Sequence, residues 1–397
     1  MNTNNMSSSV SDAFYQKYHR KPSCVAFTPY RICPLGAHVD HNHGLITGFA
    51  IDKGIYMAYG PKANGVVEIS SLQFPKRAQW HVNNTPEKVQ GDWADLLRGA
   101  TLALNKRFIL RVGLSAIIDG ELPIGGISSS AAVIITYLSA LCTLNNISLS
   151  SKDMIDIAQE AENNYVGVHC GRLDQSCEVY SRKDKLLFLD TQNEKHQLIA
   201  QPDNMKDYAF LVLFSGVERS LASSKYNMRV DEAKSAAYAL KAYAGMEYGK
   251  FEDTYLRDVP YEVFEQYKDK LPENFAKRAY HFYTENQRVL HGVEAWKRGD
   301  IEAFGKLCFE SGKSSIENWE TGSDELIKLY ELMTQTKGVY GGRFLGAGFK
   351  GCCLAIVDPA FIDSISQSIA EGYIQAFPHL KDKFSIHVCY SADGVRL

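Results

Sequence analysis

Residues 31–44, Arg-Ile-Cys-Pro-Leu-Gly-Ala-His-Val-Asp-His-Asn-His-Gly, place three histidines, an aspartate and a cysteine within fourteen positions. Closely spaced histidines bind transition metals, which makes His41 and His43 candidate ligands. Arg31 and the bare Ala37 have no part in such a site and need their own explanation.

A second chemical segment is residues 120–132, where Gly125 and Gly126 are followed by Ser128, Ser129 and Ser130 and then by an apolar run. Glycines let a backbone approach a ligand closely, serines cap, and the free N–H groups of a helix start hold anions. The combination fits a triphosphate. No G-K-[ST] follows the glycines, so this is not a Walker A loop. A capped core helix with a flexible entry is the plainer alternative.

Met154, Ile157, Ala158 and Ala161 form one helical stripe, and Glu162 lies four residues after Ala158 on its edge. A carboxylate turned inward needs a partner. Mg²⁺ beside the serine-rich helix start would be one, since it takes hard oxygens and bridges carboxylate to phosphate. The alternative is a glutamate at a helix margin. Asp174 closes a loop containing Gly167 and Gly171, where it could accept a proton from a hydroxyl or cap the next turn.

Elements must position these groups. Residues 23–27, 66–71 and 185–190 read as strands from their β-branched and aromatic content, and 129–144 and 151–165 as helices. A polar break near residues 201–204 precedes a strand at 208–214, so two domains are expected, 1–203 and 204–397. Residues 226–336 read as mostly helical, and strands return at 352–357 and 384–390. The class is α+β.

The whole chain sets limits. Its 397 residues favour two domains, and 45% hydrophobic with 22% charged residues is an ordinary globular composition. A net charge of -3 gives no reason to expect nucleic acid or anionic membrane as a partner. The first ten residues lack the order of a signal peptide and read as a frayed tail. The longest apolar stretch, 131–144, is too short to span a bilayer. Nine scattered cysteines without C-x-x-C spacing suit a reducing cytoplasm. Oligomeric state is open between monomer and homodimer.

Taken together, the segments resemble the GHMP small-molecule kinases, in particular the galactokinase branch. Arg31, Gly36, His38, Asp40, Asn42 and Gly44 resemble that branch's first signature, and residues 123–131 its phosphate loop. Gly341-Gly-Arg-Phe-Leu-Gly-Ala-Gly-Phe-Lys-Gly-Cys352, with Gly346 and Gly348, resembles the third motif. Residues 170–175 and 220–226 match further segments in order.

The resemblance implies an N-terminal domain like ribosomal protein S5 domain 2 and a ferredoxin-like C-terminal domain, with ATP and sugar between them. It implies phosphorylation at an anomeric hydroxyl. Asp174 would be the catalytic acid-base residue, with Arg31 between that hydroxyl and the γ-phosphate. A guanidinium placed there stabilises developing negative charge. Ser129 and Glu162, which stands twelve residues before Asp174, would hold Mg²⁺. Trp93 would lie near the base, though ordinary core is the alternative. His38, Asp40, Gly171 and Tyr226 would contact the sugar, a task suited to an ionised acceptor and an imidazole.

Position 37 departs from the pattern. Galactokinases carry glutamate there, which the resemblance places against the sugar's C6 hydroxyl. A glutamate would repel a C6 carboxylate by roughly 1 to 4 kcal/mol at contact distance. Ala37 removes that obstacle and shares this departure with the plant galacturonokinases, so galacturonate is the expected substrate. Lys350 stands where glycine is usual and could meet an anion or simply solvent. Leu345 replaces a small polar residue, with no physical account from sequence. The competing readings are a galactokinase or N-acetylgalactosamine kinase with a widened pocket, and a non-catalytic sugar sensor. Retention of Arg31, Glu162 and Asp174 speaks against the sensor.

Overall fold

Alternating and fully apolar runs make the strands, and their pairing explains why they end where they do. The computed structural model describes residues 3–75, 77–89, 91–123, 127, 129–217 and 224–396. The first sheet contains β1 (Cys24–Ile32), β2 (Leu45–Lys62), β3 (Val66–Ser71), β4 (Ala78–His81), β5 (Gly113–Gly120), β6 (Lys185–Asp190) and β7 (Lys195–Ala200). Its order is β4-β3-β5-β2-β6-β7, with β1 also paired to the long β2. The second sheet is built from β8 (Ala209–Phe214), β9 (Val339–Phe344), β10 (Cys352–Val357) and β11 (Ser385–Cys389), in the order β11-β8-β10-β9. The short β12 (Ser391–Ala392) then returns to pair with β2.

Strand β1 runs five residues past the expected 23–27. Pro29 reads as a strand breaker in sequence, but here the register shifts between Pro29, opposite Gly54, and Arg31, opposite Ala50. A bulge tolerates a residue without an N–H and re-aims the side chain that follows. That side chain is Arg31.

The expected frayed tail is instead helical. Helix α1 (Thr3–Tyr18) carries Met6, Val10, Phe14 and Tyr18 four apart, and Val10 and Phe14 are fully buried against Tyr56, Ala58 and Ile117. An apolar stripe diluted by serine and asparagine was the missed signal. Helix α2 (Asp95–Asn105) precedes α3 (Ser129–Leu144), which is buried along most of its length, as its almost unbroken apolar sequence requires. Helix α4 (Ser151–Glu160) opens with a capping box on Ser150 and Asp153. It continues as a π-helical turn, Ala161–Val166, that stops at Gly167 with φ 80°. Helix α5 (Leu173–Tyr180) follows.

The remaining helices are α6 (Ser224–Tyr243), α7 (Tyr261–Tyr267), α8 (Glu273–Lys297), α9 (Ile301–Glu317), α10 (Asp324–Gln335) and α11 (Ile362–Ala376). Phe49 of β2, Phe210 of β8 and Trp296 of α8 belong to one continuous core, so the two sheets share buried surface. Mixed helices and sheets agree with the α+β expectation. All nine cysteines are free, and no helix among the described residues is long and apolar enough to cross a membrane.

Candidate active site

The bulge in β1 and the first turn of α5 bring Arg31 and Asp174 together across 143 positions of sequence. The guanidinium Nε and Nη2 both lie 2.8 Å from Asp174 Oδ1. Arg31 is buried, whereas the Asp174 side chain keeps 28% of its surface exposed. Burial opposes the guanidinium's charge, and Asp174 more than offsets that, holding Arg31 firmly protonated. An accessible carboxylate backed by a sealed cation can orient a hydroxyl and stabilise the charge that develops on it.

Asp40 lies in a short turn, Asp40–Asn42, directly behind this pair. Its Oδ2 accepts the Leu173 N–H at 3.0 Å, one residue before Asp174. Gly171 explains itself here: a Cβ would come within 2.3 Å of that same Oδ2. Burial pushes the Asp40 carboxyl up to about 6, because the Leu173 N–H offsets it only in part and the Asp174 charge adds to it. Tyr226, buried in the first turn of α6, meets His41 edge-on with centroids 6.2 Å apart.

The loop at position 37 is gripped by α8. Glu285 Oε1 accepts the Gly36 N–H at 2.7 Å and the Ala37 N–H at 3.3 Å, while His281 Nε2 donates to the Ala37 carbonyl at 3.0 Å. Asn286 Oδ1 takes the Leu45 N–H at 2.7 Å. Glu285 is itself fully buried, with Arg343 Nη1 at 3.4 Å, Arg288 Nε at 2.7 Å and the Ser311 hydroxyl at 2.6 Å. Burial opposes its ionisation, but Arg288 and Arg343 overcome that and hold it down to about 2. His281, Glu285 and Arg343 escaped the sequence reading, as did Trp319. His281 and Glu285 are four apart on one helical face, a visible spacing, but nothing local says what that face meets.

His38 adopts φ 61° and stacks on Trp319 with centroids 5.3 Å apart and planes 7° from parallel. His41 also packs on Trp319, with centroids 5.3 Å apart, while His43 stacks on Tyr255 at 3.7 Å. The two candidate metal ligands thus diverge. Among the described residues no group of three or more His, Cys, Asp or Glu side chains converges as metal ligands would.

Glu162 occupies the π-helical turn and is buried, receiving the Gln175 amide and, at 3.8 Å, the Cys170 thiol. Gln175 leaves its Oε1 buried without a partner. Ser129 and Ser130 open α3 and are half-buried, whereas Gly125, Gly126 and Ser128 lie outside the described residues. Trp93 is half-buried, packs against the main core and lies with its ring parallel to that of Phe74 at 5.8 Å. Gly346 and Gly348 take φ 61° and 74°, the left-handed region that glycine tolerates, and Gly348 O accepts the Gly322 N–H at 2.8 Å. Lys350 is exposed. Leu345 gains the account it lacked: it is buried in the shared core, and its N–H bonds Cys352 O at 3.0 Å.

Comparison with known proteins accords with this geometry. Residues 95–182 match the GHMP kinases N terminal domain, 293–375 the GHMP kinases C terminal family and 12–61 the galactokinase galactose-binding signature. The chain is 36% identical to the galacturonokinase of Arabidopsis thaliana, over 94% of this chain and 93% of that relative. It is 30% identical to the galactokinase of Roseiflexus sp. (strain RS-1), over 97% and 96%. In structure it is similar to the galactokinase of Lactococcus lactis complexed with galactose, with a TM-score of 0.88, 26% identity and coverage of 98% and 99%. A mevalonate kinase at 16% identity and a TM-score of 0.62 shares the fold. The chain belongs to the GHMP kinases, with their two-domain fold, in the galactokinase branch, and is an enzyme of the sugar-kinase class.

Proposed function

We propose that this enzyme transfers the γ-phosphoryl group of ATP to the anomeric hydroxyl of a galacto-configured sugar and that its favoured substrate is D-galacturonic acid. The observation that carries the choice of sugar is the neutral surface at position 37. Ala37 presents no carboxylate, and the one beside it, Glu285, is compensated by Arg343 and Arg288 and engaged by backbone N–H groups. A negatively charged C6 substituent meets no uncompensated negative charge there.

Phosphoryl transfer asks a protein chiefly for positioning and charge compensation. Asp174 accepts the proton of the anomeric hydroxyl or orients that hydroxyl for attack. Arg31 bridges the nucleophile and the phosphoryl oxygens. Asp40 and His38 hold ring hydroxyls, Gly171 lets the sugar lie close to the α5 turn, and Tyr226 walls the pocket. Gly125, Gly126 and Ser128 to Ser130 supply N–H and hydroxyl groups to the phosphates, Trp93 stacks near the base, and Gly346 and Gly348 complete the nucleotide cleft. Glu162 and Ser129 are hard oxygen donors of the kind Mg²⁺ prefers, and the unpartnered Gln175 Oε1 beside Glu162 adds another. A bound Mg²⁺ supplies positive charge that offsets the phosphates.

The test is ATP-dependent phosphorylation of galacturonate, glucuronate, galactose and N-acetylgalactosamine by the wild type and by Ala37→Glu. The wild type should prefer galacturonate. The variant should lose roughly 1 to 4 kcal/mol of that preference, the repulsion of two charges at contact. A wild type that prefers galactose would sink the uronate reading and leave Ala37 as a change of pocket size.

A further inference from the structure

Trp319 lies just past α9, is 1% exposed, and forms the centre of an unusual cluster. Its indole centroid is 5.3 Å from those of His38 and His41 and 5.5 Å from that of His281. Three polar ring atoms of this cluster are buried with no hydrogen-bond partner: Trp319 Nε1, His41 Nε2 and His38 Nε2. Buried polar atoms are nearly always satisfied, so three orphans around one ring call for a partner, whether water or a group of the substrate.

The proton positions follow from the surrounding bonds. The Leu256 N–H donates to Asn42 Oδ1 at 3.0 Å, which turns the Asn42 amide nitrogen toward His41 Nδ1 at 2.8 Å. His41 Nδ1 is therefore an acceptor, and the ring carries its proton on Nε2. An indole nitrogen is a donor only. The orphans thus include the Trp319 N–H and, in the tautomer that accepts from the Asn42 amide, the His41 Nε2–H, with His38 Nε2 beside them. Such a set suits an acceptor-rich group: a carboxylate has two oxygens and no proton to give, whereas a hydroxymethyl group accepts at one oxygen. Trp319 also shares an apolar cluster with Ala37, the position assigned to the C6 end of the sugar.

We propose that Trp319 and His41 are specificity-determining residues whose ring N–H groups hold the C6 carboxylate of a uronic acid. The proposal rests on the uronate reading above and adds the groups that attract the carboxylate to the residue that no longer repels it. Burial keeps both histidines neutral, so recognition is by dipoles, with the positive field of Arg343, Arg31 and Lys234 behind them.

The experiment compares kcat and KM for galacturonate and galactose in the wild type, Trp319→Phe, His41→Phe and His41→Gln. Trp319→Phe and His41→Phe each keep a ring and delete the N–H. Each should weaken kcat/KM for galacturonate roughly 10- to 100-fold, the loss of one hydrogen bond to a charged group. The loss should fall in KM, because the contact is remote from the reacting oxygen. Galactose turnover should change less than about threefold in Trp319→Phe, and in His41→Phe, which also removes the acceptor of the Asn42 amide, galactose should lose clearly less than galacturonate. His41→Gln returns an N–H near Nε2 and should restore most of the uronate preference. Equal losses for both sugars, or a failure of His41→Gln to restore, would overturn the proposal and leave Trp319 as packing. A wild type that prefers galactose would instead reject the uronate reading itself, before any variant is measured.

Discussion

Two ion pairs engage the first motif, and they differ in one respect. Arg31 and Asp174, from the first half of the chain, leave the carboxylate partly exposed. Glu285 and Arg343, from the second half, are sealed on both sides. One pairing leaves a carboxylate that solvent can reach, as the proposed reaction requires, and the other is closed and holds position. Glu285 spends its lone pairs on Gly36, Ala37 and Ser311, so its energy goes into the shape of the loop.

Three measurements would break or sharpen that contrast. Asp174→Asn should lower kcat by about 10² to 10⁴, the usual contribution of a general base, with a smaller loss of stability than Glu285→Gln, because the buried Arg31 loses its counter-charge but solvent reaches the Asp174 side of the pair. An equal loss of stability would mean that this pair is structural too. Glu285→Gln should behave in the opposite way, costing about 3–5 kcal/mol in equilibrium unfolding because Arg343 and Arg288 lose their buried counter-charge. The pH dependence has a definite sign. With its folded carboxyl held down to about 2 against an ordinary 4.5, Glu285 stabilises fully above the ordinary value and loses that effect as pH falls toward about 2. The acid slope of the urea midpoint should flatten in the variant.

Asp40 gives the smallest and most specific effect. Its folded carboxyl titrates at about 6 against an ordinary 3.8, so its ionisation costs stability as pH rises through that window, the reverse of Glu285. For binding, the ionised form is the acceptor. The ratio kcat/KM should therefore fall below about pH 6 in the wild type, and Asp40→Asn should abolish that limb along with part of the sugar affinity. A limb that persists in the variant belongs to another group.

Much of this was legible from residue order. The strands at 66–71 and 185–190 and the helix at 129–144 stand at the expected bounds, because periodicity and β-branching are local properties. Arg31, Asp40 and Asp174 were named from the resemblance of their motifs to a family, and the fold brings them to one place. Helix α1 and the extension of β1 were misread because a diluted apolar stripe and an internal proline both look like loop when their partners are out of view. Leu345 had no account until its neighbours in the core were known.

Residue order alone determined which groups are available for chemistry: the guanidinium, the carboxylates, the serine-rich helix start and the missing carboxylate at position 37. Only the tertiary structure decided the state of each group. Whether a carboxylate is charged, reachable or already engaged depends on desolvation and on partners such as Glu285 and Gly36, which meet across 249 positions of chain. Local spacing carries no information about such distant contacts. For that reason the clamp on residue 37 and the unpartnered donors around Trp319 emerge only in the folded molecule.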